Sequence, residues 1–447
     1  MAGPLPASLL PDTAAVDTDG ALVVGGVRVD ALAAAYGTPL FVYDEEHLRA
    51  RCREAVAAFG PGVAYASKAF LCTAMARVAH REGMWLDVAT GGELHVALLG
   101  GVPANRIVVH GNNKDDDELR RAMFAGVARI VVDSFDELDR IDALVAKGLQ
   151  PPKVMVRVTP GVEVHTHEFV QTGQEDSKFG FGWHSGAAAE AVARARASST
   201  MDLVGIHLHI GSQVFSTDSF GHAIEAVAPL VAEFGLPELC VGGGLGVAYV
   251  EGEVAPTITE WARTVTGVCS KAGIDAKVSA EPGRAIVAQA ALTVYTAGTV
   301  KELPGIRTYV AVDGGMSDNP RPVLYGSGYE TFLPRSVTAA RPREIRLVGK
   351  HCESGDLLVR QGWVPDDLAV GDLVATPVTG AYGHSMGSNY NKVTRPAVVF
   401  VAGGRARLVV RRETLDDLVR LDVDSPSEQV AGGEPAGATG LGRGAGR

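Results

Sequence analysis

Cysteine is scarce in this sequence, and the spacing of its five cysteines excludes two kinds of small stabilised module. Cys52, Cys72, Cys240, Cys269 and Cys352 are odd in number, lie far apart and form no CxxC pair. A disulfide framework and a zinc ribbon both depend on close, regular cysteine spacing, so neither is expected. We therefore expect a chain that folds in a reducing compartment.

Long hydrophobic runs and an excess of positive charge are also missing. No stretch approaches the roughly 20 uninterrupted apolar residues that span a bilayer, and the opening segment lacks the basic start of a secretory signal. Because 41 Lys and Arg stand against 52 Asp and Glu, the formal net charge is −11. That charge argues against nucleic acid or an anionic membrane as the main partner. The cysteine spacing and the missing signal and membrane segments together predict a cytoplasmic protein.

The sequence is rich in short apolar runs that alternate with longer helix-like stretches from Thr38 to Ala297. The runs expected to be strands are PLFVYD, GVAYASK, MWLDVAT, RIVVHG, ARIVVDS, KVMVRVTP, LVGIHLHIG, LCVGGGLG and KVSAEPGR. This order predicts an α/β fold with an N-terminal (β/α)8 TIM-like barrel, and an open doubly wound sheet is the alternative. Polar residues and glycines gather at the carboxyl ends of the runs, where such barrels carry their active sites, which favours the barrel.

The composition and the pattern of apolar runs change at both ends of this region, so the 447-residue chain is predicted to have five segments. Beyond Ala297, β-rich runs separated by Gly and Pro turns predict a C-terminal, mostly antiparallel β domain. The predicted segments are a flexible leader at 1–20, a strand at 21–37 that joins the β domain, the barrel at 38–296, the β domain at 297–423 and a disordered tail at 424–447.

The segment YASKAF places Lys68 at the end of a strand of small and apolar residues. A lysine there is expected to lose hydration, which favours the neutral amine that Schiff-base formation requires. A solvated loop lysine is the more frequent explanation of such a position taken alone. The assignment of Lys68 therefore depends on the residues that accompany it.

In IHLHIGSQ, alternation places His207 and His209 on one face of a strand, before a tight turn at Gly211 and Ser212 that suits a phosphate. His209 can lie flat against an aromatic cofactor, although a packed core histidine is the commoner role of an isolated pair. No carboxylate is spaced nearby in the sequence, so no metal site is expected on this strand.

Two glycine-containing turns add donors and a carboxylate. In CVGGGLG, the glycines Gly242, Gly243 and Gly244 allow backbone N–H groups to approach a phosphate, and a simple barrel-rim turn explains them about equally well. In SAEPGR, Glu281 could keep a pyridine nitrogen protonated and Arg284 could hold a phosphate or a substrate carboxylate. A surface salt-bridge turn is the alternative.

Two segments of the β domain also carry candidate functional groups. In KHCESGD, Cys352 could deliver a proton, Glu353 could bind an ammonium group and Asp356 could support the loop or an interface. In GAYGHSMG, Tyr382 lies in a glycine-flanked turn from which it could reach a phosphate, although most tyrosines in turns only pack.

Taken in order, YASK, HIGSQ, GGG, EPGR, CESGD and GAYG resemble the motifs of the fold-III pyridoxal-phosphate decarboxylases, and most closely those of the diaminopimelate decarboxylases. The resemblance implies a pyridoxal 5'-phosphate cofactor, an amino-acid substrate and a homodimer with active sites at the subunit interface. It also implies a barrel followed by a β domain.

The same resemblance implies a role for each matched residue. Lys68 would hold the cofactor covalently, His209 would stack on its ring and Glu281 would pair with the pyridine nitrogen. The residues implied around the phosphate are Ser212, Gly242, Gly243, Gly244, Gly283, Arg284 and Tyr382. Cys352, as proton donor, and Glu353, as ligand of the distal ammonium group, would enter from the partner subunit.

The implied reaction is decarboxylation of meso-2,6-diaminopimelate to L-lysine and CO₂, the last step of lysine biosynthesis. The residues that resemble the clamp for the distal carboxylate and the substrate are Arg284, Arg321, Tyr325 and Tyr382. A buried arginine would stand unpaired in an ornithine site, at a cost of roughly several kcal/mol. Carboxynorspermidine, ornithine and lysine remain alternative substrates, while Glu281 argues against a racemase and Lys68 with Cys352 against a silent binding protein.

Overall fold

The strands and helices of the computed structural model lie within residues 2–161 and 176–423, the part of the chain that the structure describes. The expected tail at 424–447 lies outside these residues. The strands are β1 Ala15–Val16, β2 Leu22–Val24, β3 Val27–Arg28, β4 Leu40–Asp44, β5 Ala64–Ala66, β6 Trp85–Val88, β7 Ile107–Val109, β8 Arg129–Val132, β9 Lys153–Thr159, β10 Phe181–Gly182, β11 Asp202–Leu208, β12 Glu238–Cys240, β13 Lys277–Ser279, β14 Ala291–Leu303, β15 Arg307–Val312, β16 Arg343–Val348, β17 Leu357–Val364, β18 Leu373–Pro377, β19 Ala397–Ala402 and β20 Arg405–Val410.

The helices follow most of the parallel strands and begin and end at residues that suit those positions. They are α1 Val29–Tyr36, α2 Glu45–Phe59, α3 Thr73–Arg81, α4 Gly91–Leu99, α5 Asp116–Ala125, α6 Phe135–Ala146, α7 Ala187–Ala197, α8 Asp218–Phe234, α9 Ile258–Lys271, α10 Arg284–Val287 and α11 Arg321–Tyr325. Helix α5, for example, begins with a capping box between Asp115 and Glu118 and ends at the left-handed Gly126. No helix of the described residues is both long and apolar enough to cross a membrane.

Eight parallel strands form the predicted barrel. Their order is β5, β6, β7, β8, β9, β11, β12 and β13, and β10 pairs with the last two residues of β9. The barrel closes because the backbone N–H of Ala64 donates to the carbonyl of Ala280 at 3.0 Å and that of Ala66 donates to Pro282 at 3.2 Å. The barrel and the mostly antiparallel second sheet confirm the predicted fold class, in which functional side chains lie at the carboxyl ends of the strands.

The second sheet is centred on β14, which pairs antiparallel with β4, β15 and β18. The prediction that PLFVYD begins the barrel is wrong, because β4 pairs with β14 and β19 of the β domain instead. Every residue of β4 is buried, as expected for a central strand covered on both faces. The N-terminal part of the chain therefore contributes a strand to the C-terminal domain.

The first 37 residues also differ from expectation. The predicted loose leader is packed, because Leu5, Leu9 and Leu10 are buried in the main core and the N–H of Asp12 donates to His47 Nδ1 at 3.0 Å. The segment 21–37, predicted as one strand, forms β2, β3 and helix α1, and the strands lie in a separate three-stranded sheet of order β1, β2, β3. The turn between β2 and β3 contacts the turn between β19 and β20, where the N–H of Gly404 donates to the carbonyl of Gly25 at 2.8 Å, so these short strands touch the β domain without extending its sheet.

Candidate active site

The carboxyl ends of the barrel strands surround a cavity of about 170 Å³. Three residues predicted from separate motifs meet there: Lys68, His209 and Glu281. The cavity is also lined by Ala66, Asp87, Ala89, His110, Gly111, Arg157, Phe179, His207 and Gly243. The chain therefore brings an amine, an imidazole and a carboxylate together from distant positions, at the face where barrel enzymes carry their active sites.

Lys68 lies in a single 3-10 turn, Ser67–Ala69, directly after β5. Two later segments contact this turn and fix it. Gly283 packs so closely on Ala66 that a Cβ at position 283 would lie only 3.0 Å from it, and the N–H of Tyr382 donates to the carbonyl of Ala69 at 2.9 Å. Lys68 itself is exposed, so the expectation that it loses its hydration is wrong for the isolated chain. What positions its amine is the rigid turn, not burial.

His209 follows β11 and faces the cavity as a half-buried ring. Its Nδ1 accepts the backbone N–H of Gly243 at 3.2 Å. Burial, followed by the positive charges of Lys68 and Arg157, lowers the pKa of His209 well below its usual value. The ring is therefore neutral at neutral pH, with its proton on Nε2, which suits stacking on an aromatic cofactor.

The three consecutive glycines are needed for a close approach of backbone to backbone. A Cβ at Gly243 would lie 2.3 Å from the carbonyl oxygen of Glu281, and one at Gly244 would lie 2.3 Å from that of Gly211. Gly242 and Gly244 also have φ values of +67° and +110°, which side chains rarely adopt. The glycines thus bring the turns after β11, β12 and β13 into direct contact around the site.

Glu281 is buried at the far side of the cavity, and two histidines contact its carboxylate. His110 Nε2 lies 2.9 Å from one oxygen and His207 Nε2 lies 2.8 Å from the other. The three residues offer metal-ligand atoms, but two ligands around a tetrahedral zinc ion lie more than about 3 Å apart, each at about 2.0 to 2.2 Å from the metal. The observed distances are those of direct hydrogen bonds.

Arg284 joins the predicted phosphate residues to one another. Its Nη2 donates to Ser212 Oγ at 2.7 Å, its Nη1 donates to the Tyr249 hydroxyl at 2.6 Å, and its guanidinium lies 4.8 Å from the ring centre of Tyr382. Tyr382 adopts a φ of +58°, an uncommon conformation for a tyrosine that is typical of functional sites. The buried Arg284 therefore places a positive charge beside Ser212 and Tyr382.

Arg321 is the second buried arginine and lies at the start of α11. Its Nη1 donates to the hydroxyl of Tyr329 at 2.5 Å, and its guanidinium lies 4.1 Å from the ring centre of Tyr249. Tyr249 thus touches both Arg284 and Arg321, while Tyr325, at the other end of α11, is half-buried. The two arginines belong to one aromatic network.

Sequence reasoning missed part of this site. The contacts of Tyr249 and Tyr329 with the arginines were not predicted, and neither was the contact of His110 with Glu281. His110 follows a strand in the same way as Lys68 and His209 do, so its position at a carboxyl end was a usable signal. The tyrosines gave none, because their contacts depend on loops that meet only in the folded chain.

The loop that carries Cys352 and Glu353 is exposed in the single chain. Neither residue lines the cavity. Asp356 anchors the loop, because its Oδ1 accepts the N–H of Met316 at 2.7 Å and its Oδ2 accepts that of His351 at 2.9 Å. The loop is thus held in a defined shape while its thiol and carboxylate face away from the chain's own core.

The residues present fit pyridoxal phosphate. A flat neutral imidazole, an exposed lysine amine and a buried carboxylate bound one cavity, which matches a flat aldehyde-bearing ring with a basic nitrogen. Two features supply donors for a phosphate. The glycine turns offer backbone N–H groups, and the buried Nε of Arg284 has no hydrogen-bond partner among the described residues. This donor set is of the kind that a phosphate and a protonatable ring require.

Comparison with known proteins gives the same class. Residues 45–288 match the family model described as pyridoxal-dependent decarboxylase, pyridoxal binding domain. Diaminopimelate decarboxylase of Mycobacterium tuberculosis (H37Rv) is 50% identical over 428 residues, which cover 91% of this chain and 96% of that one. The Bacillus subtilis (strain 168) diaminopimelate decarboxylase is 44% identical, covering 90% and 95%.

Solved structures agree with the fold. The crystal structure of diaminopimelate decarboxylase from M. jannaschii, described in co-complex with L-lysine, has a TM-score of 0.86 at 31% identity and covers 93% of this chain and 99% of that one. The chain belongs to the fold-III pyridoxal-phosphate-dependent decarboxylases. Within that class it is a member of the diaminopimelate decarboxylase family.

Proposed function

We propose that this chain decarboxylates meso-2,6-diaminopimelate at its D-configured centre, releasing CO₂ and L-lysine in the cytoplasm. One observation carries the proposal: the cavity with Lys68, His209 and Glu281 is accompanied by two buried arginines, Arg284 and Arg321, which touch the same tyrosine. The first set suits the cofactor, and the second suits a substrate with an additional carboxylate.

The cofactor-facing roles follow from the positions of the side chains. Lys68 would hold the cofactor, the neutral ring of His209 would pack against it, and the ionised Glu281 would keep its ring nitrogen protonated. The residues that would bind its phosphate are Ser212, Gly242, Gly243, Gly244, Gly283, Arg284 and Tyr382. Bound pyridoxal phosphate supplies the electron sink that accepts the electron pair left on the substrate when CO₂ departs.

Arg321, together with Arg284 and Tyr325, selects the substrate by its distal carboxylate. The Nε of Arg321 is buried and has no hydrogen-bond partner among the described residues, so a planar carboxylate would satisfy a donor that is otherwise unpaired. A substrate that ends in an ammonium group, such as ornithine, leaves that donor unpaired and repels the arginine. The proposal therefore places the distal end of the substrate beside α11.

The proposed assembly is a homodimer in which each active site uses residues of both chains. Cys352 and Glu353 are exposed on an anchored loop and do not line the cavity of their own chain, which supports this arrangement. In the partner's site, Cys352 delivers the proton that replaces CO₂, and Glu353 holds the distal ammonium group. Size-exclusion chromatography with light scattering is expected to give about twice the chain mass of 46.6 kDa.

We also propose the division of the chain into a barrel at 38–296 and a β domain at 297–423, with β4 as a strand that the barrel segment contributes to the second domain. The agreement of the family match at residues 45–288 with the first segment supports this division.

The substrate proposal is tested by measuring CO₂ release from meso-diaminopimelate, ornithine, lysine and carboxynorspermidine with the cofactor-loaded enzyme. We expect a kcat/KM for meso-diaminopimelate at least about 10²-fold above the others, since an unpaired buried donor discriminates by roughly that factor or more. A preference for any substrate without a distal carboxylate would overturn the proposal. Comparable rates on carboxynorspermidine would show a broader enzyme.

Arg321→Gln is expected to lower kcat/KM for meso-diaminopimelate by about 10² to 10³-fold, because the distal carboxylate loses a charged partner. The visible absorbance of the bound cofactor should stay unchanged. Arg307→Gln, at an exposed position in the β domain, is the matched control and should behave as the wild type. An equal loss with lysine as substrate would show that Arg321 acts on the fold and not on the distal carboxylate.

A further inference from the structure

Two histidines from different strands contact the same buried carboxylate. His110 follows β7 and His207 lies in β11, and their Nε2 atoms lie 2.9 and 2.8 Å from the two oxygens of Glu281. All three residues are buried, with exposures of 7%, 1% and 5%. Both oxygens of the carboxylate are therefore fixed by groups that the reaction itself does not use.

The chemistry of a carboxylate decides which ring nitrogens carry protons. An ionised carboxylate only accepts hydrogen bonds, so Nε2 of His110 and Nε2 of His207 must both carry hydrogen. The Nδ1 of His207 is buried and has no partner among the described residues, so a second proton there would be an unpaired buried donor. The hydrogen on Nε2 of His207 is therefore the one that the fold pairs with an acceptor, the carboxylate of Glu281.

The surroundings of Glu281 make these two contacts necessary. Burial by itself would raise the pKa of Glu281, and the attraction and hydrogen bonds of His110 and His207 lower it well below its usual value. Asp87, whose own pKa burial raises to about 7, lies 3.7 Å from His110 Nε2. The other titratable or charged groups around the carboxylate are Lys68, Arg157, His209 and Cys240.

We propose that His110 and His207 are positioning residues: each donates from Nε2 to Glu281 and so keeps this carboxylate ionised and correctly oriented for the ring nitrogen of the cofactor. The proposal rests on the proposed role of Glu281. Without the two donors, a buried carboxylate beside Asp87 would take up a proton. A protonated carboxyl group could no longer keep a pyridine nitrogen charged.

The first test uses wild-type protein freed of cofactor, with ¹⁵N-labelled histidine. NMR correlation of ring nitrogens with ring protons distinguishes the two tautomers, and His110→Gln and His207→Gln assign the signals. We expect hydrogen on Nε2 of both rings. An Nε2 without hydrogen in either ring would overturn the proposal.

The second test follows Glu281 directly by ¹³C NMR of labelled glutamate side chains, again without cofactor, with Glu281→Gln used for assignment. His207→Phe keeps a ring of similar shape but removes the donor, whereas His207→Gln keeps a donor. We expect the pKa of Glu281 to rise by at least about one unit in His207→Phe, a tenfold change in its protonation equilibrium, and by less in His207→Gln. An unchanged titration in the folded Phe variant would sink the idea.

Circular dichroism shows whether each variant folds. If His207→Phe does not fold, the positioning role is decided by the tautomers of the wild-type protein together with the titration of Glu281 in His207→Gln. Both measurements need neither substrate nor cofactor. A chain that failed to decarboxylate meso-diaminopimelate would therefore refute the proposed function and leave this result standing. In the same way, wrong tautomers would refute the positioning role without affecting the substrate assignment.

Discussion

Lys68→Ala is expected to lower turnover of meso-diaminopimelate by about 10⁴-fold or more and to remove the visible absorbance of covalently bound pyridoxal phosphate. Among the described residues that line the cavity, Lys68 supplies the sole primary amine, so no neighbour can replace it. The turn that holds it is fixed by Gly283 and Tyr382, and the substitution removes the amine without disturbing either contact. Absorbance and CO₂ release are measured on the same preparation.

Lys147→Ala is the matched control for this substitution. Lys147 is exposed at the end of α6, so its replacement changes the charge of the chain equally without touching the cavity. We expect wild-type absorbance and turnover for this variant. If Lys68→Ala kept the absorbance of the bound cofactor, another amine would hold it and the assignment of Lys68 would fail.

Much of the fold could be predicted because each strand of the barrel carries its own apolar pattern. The misplaced β4 shows the limit of that method: its run of apolar residues is equally suited to a parallel barrel strand or to the centre of a mixed sheet. Partner strands β14 and β19 decide between the two, and they lie more than 240 residues away in the sequence. β17 at Leu357–Val364 was not predicted at all, since Arg360, Gln361 and Gly362 interrupt its pattern.

The candidate site shows the same division between local and distant information. Lys68, His209 and Glu281 were found because each ends a strand and belongs to a short motif, and the fold then brings them to one cavity. The surroundings of each group could not be predicted. Lys68 is exposed rather than buried, and Glu281 depends on histidines that are 171 and 74 residues away in the sequence.

Cys352→Ala is expected to retain the cofactor but to lower turnover by about 10² to 10⁴-fold, the usual contribution of a positioned proton donor. The thiol is exposed on a loop anchored by Asp356, so its removal should not affect the core. Cys72→Ser is the control, because its hydroxyl can accept the N–H of Met75 as the sulfur does at 3.5 Å. Near-normal turnover of Cys352→Ala would exclude Cys352 as the donor.

A mixing experiment can show whether Cys352 serves the active site of its own chain or that of the partner subunit. If it serves the partner's site, mixing Lys68→Ala with Cys352→Ala chains gives hybrid dimers in which one of the two sites has both residues intact. Random exchange of equal amounts makes half of the dimers hybrid, so about a quarter of wild-type activity should return. A thiol that served its own chain would leave every site of the mixture defective, and activity would stay at the level of the single variants. Recovery therefore requires both that the enzyme is a dimer and that Cys352 and Lys68 of opposite chains share one site.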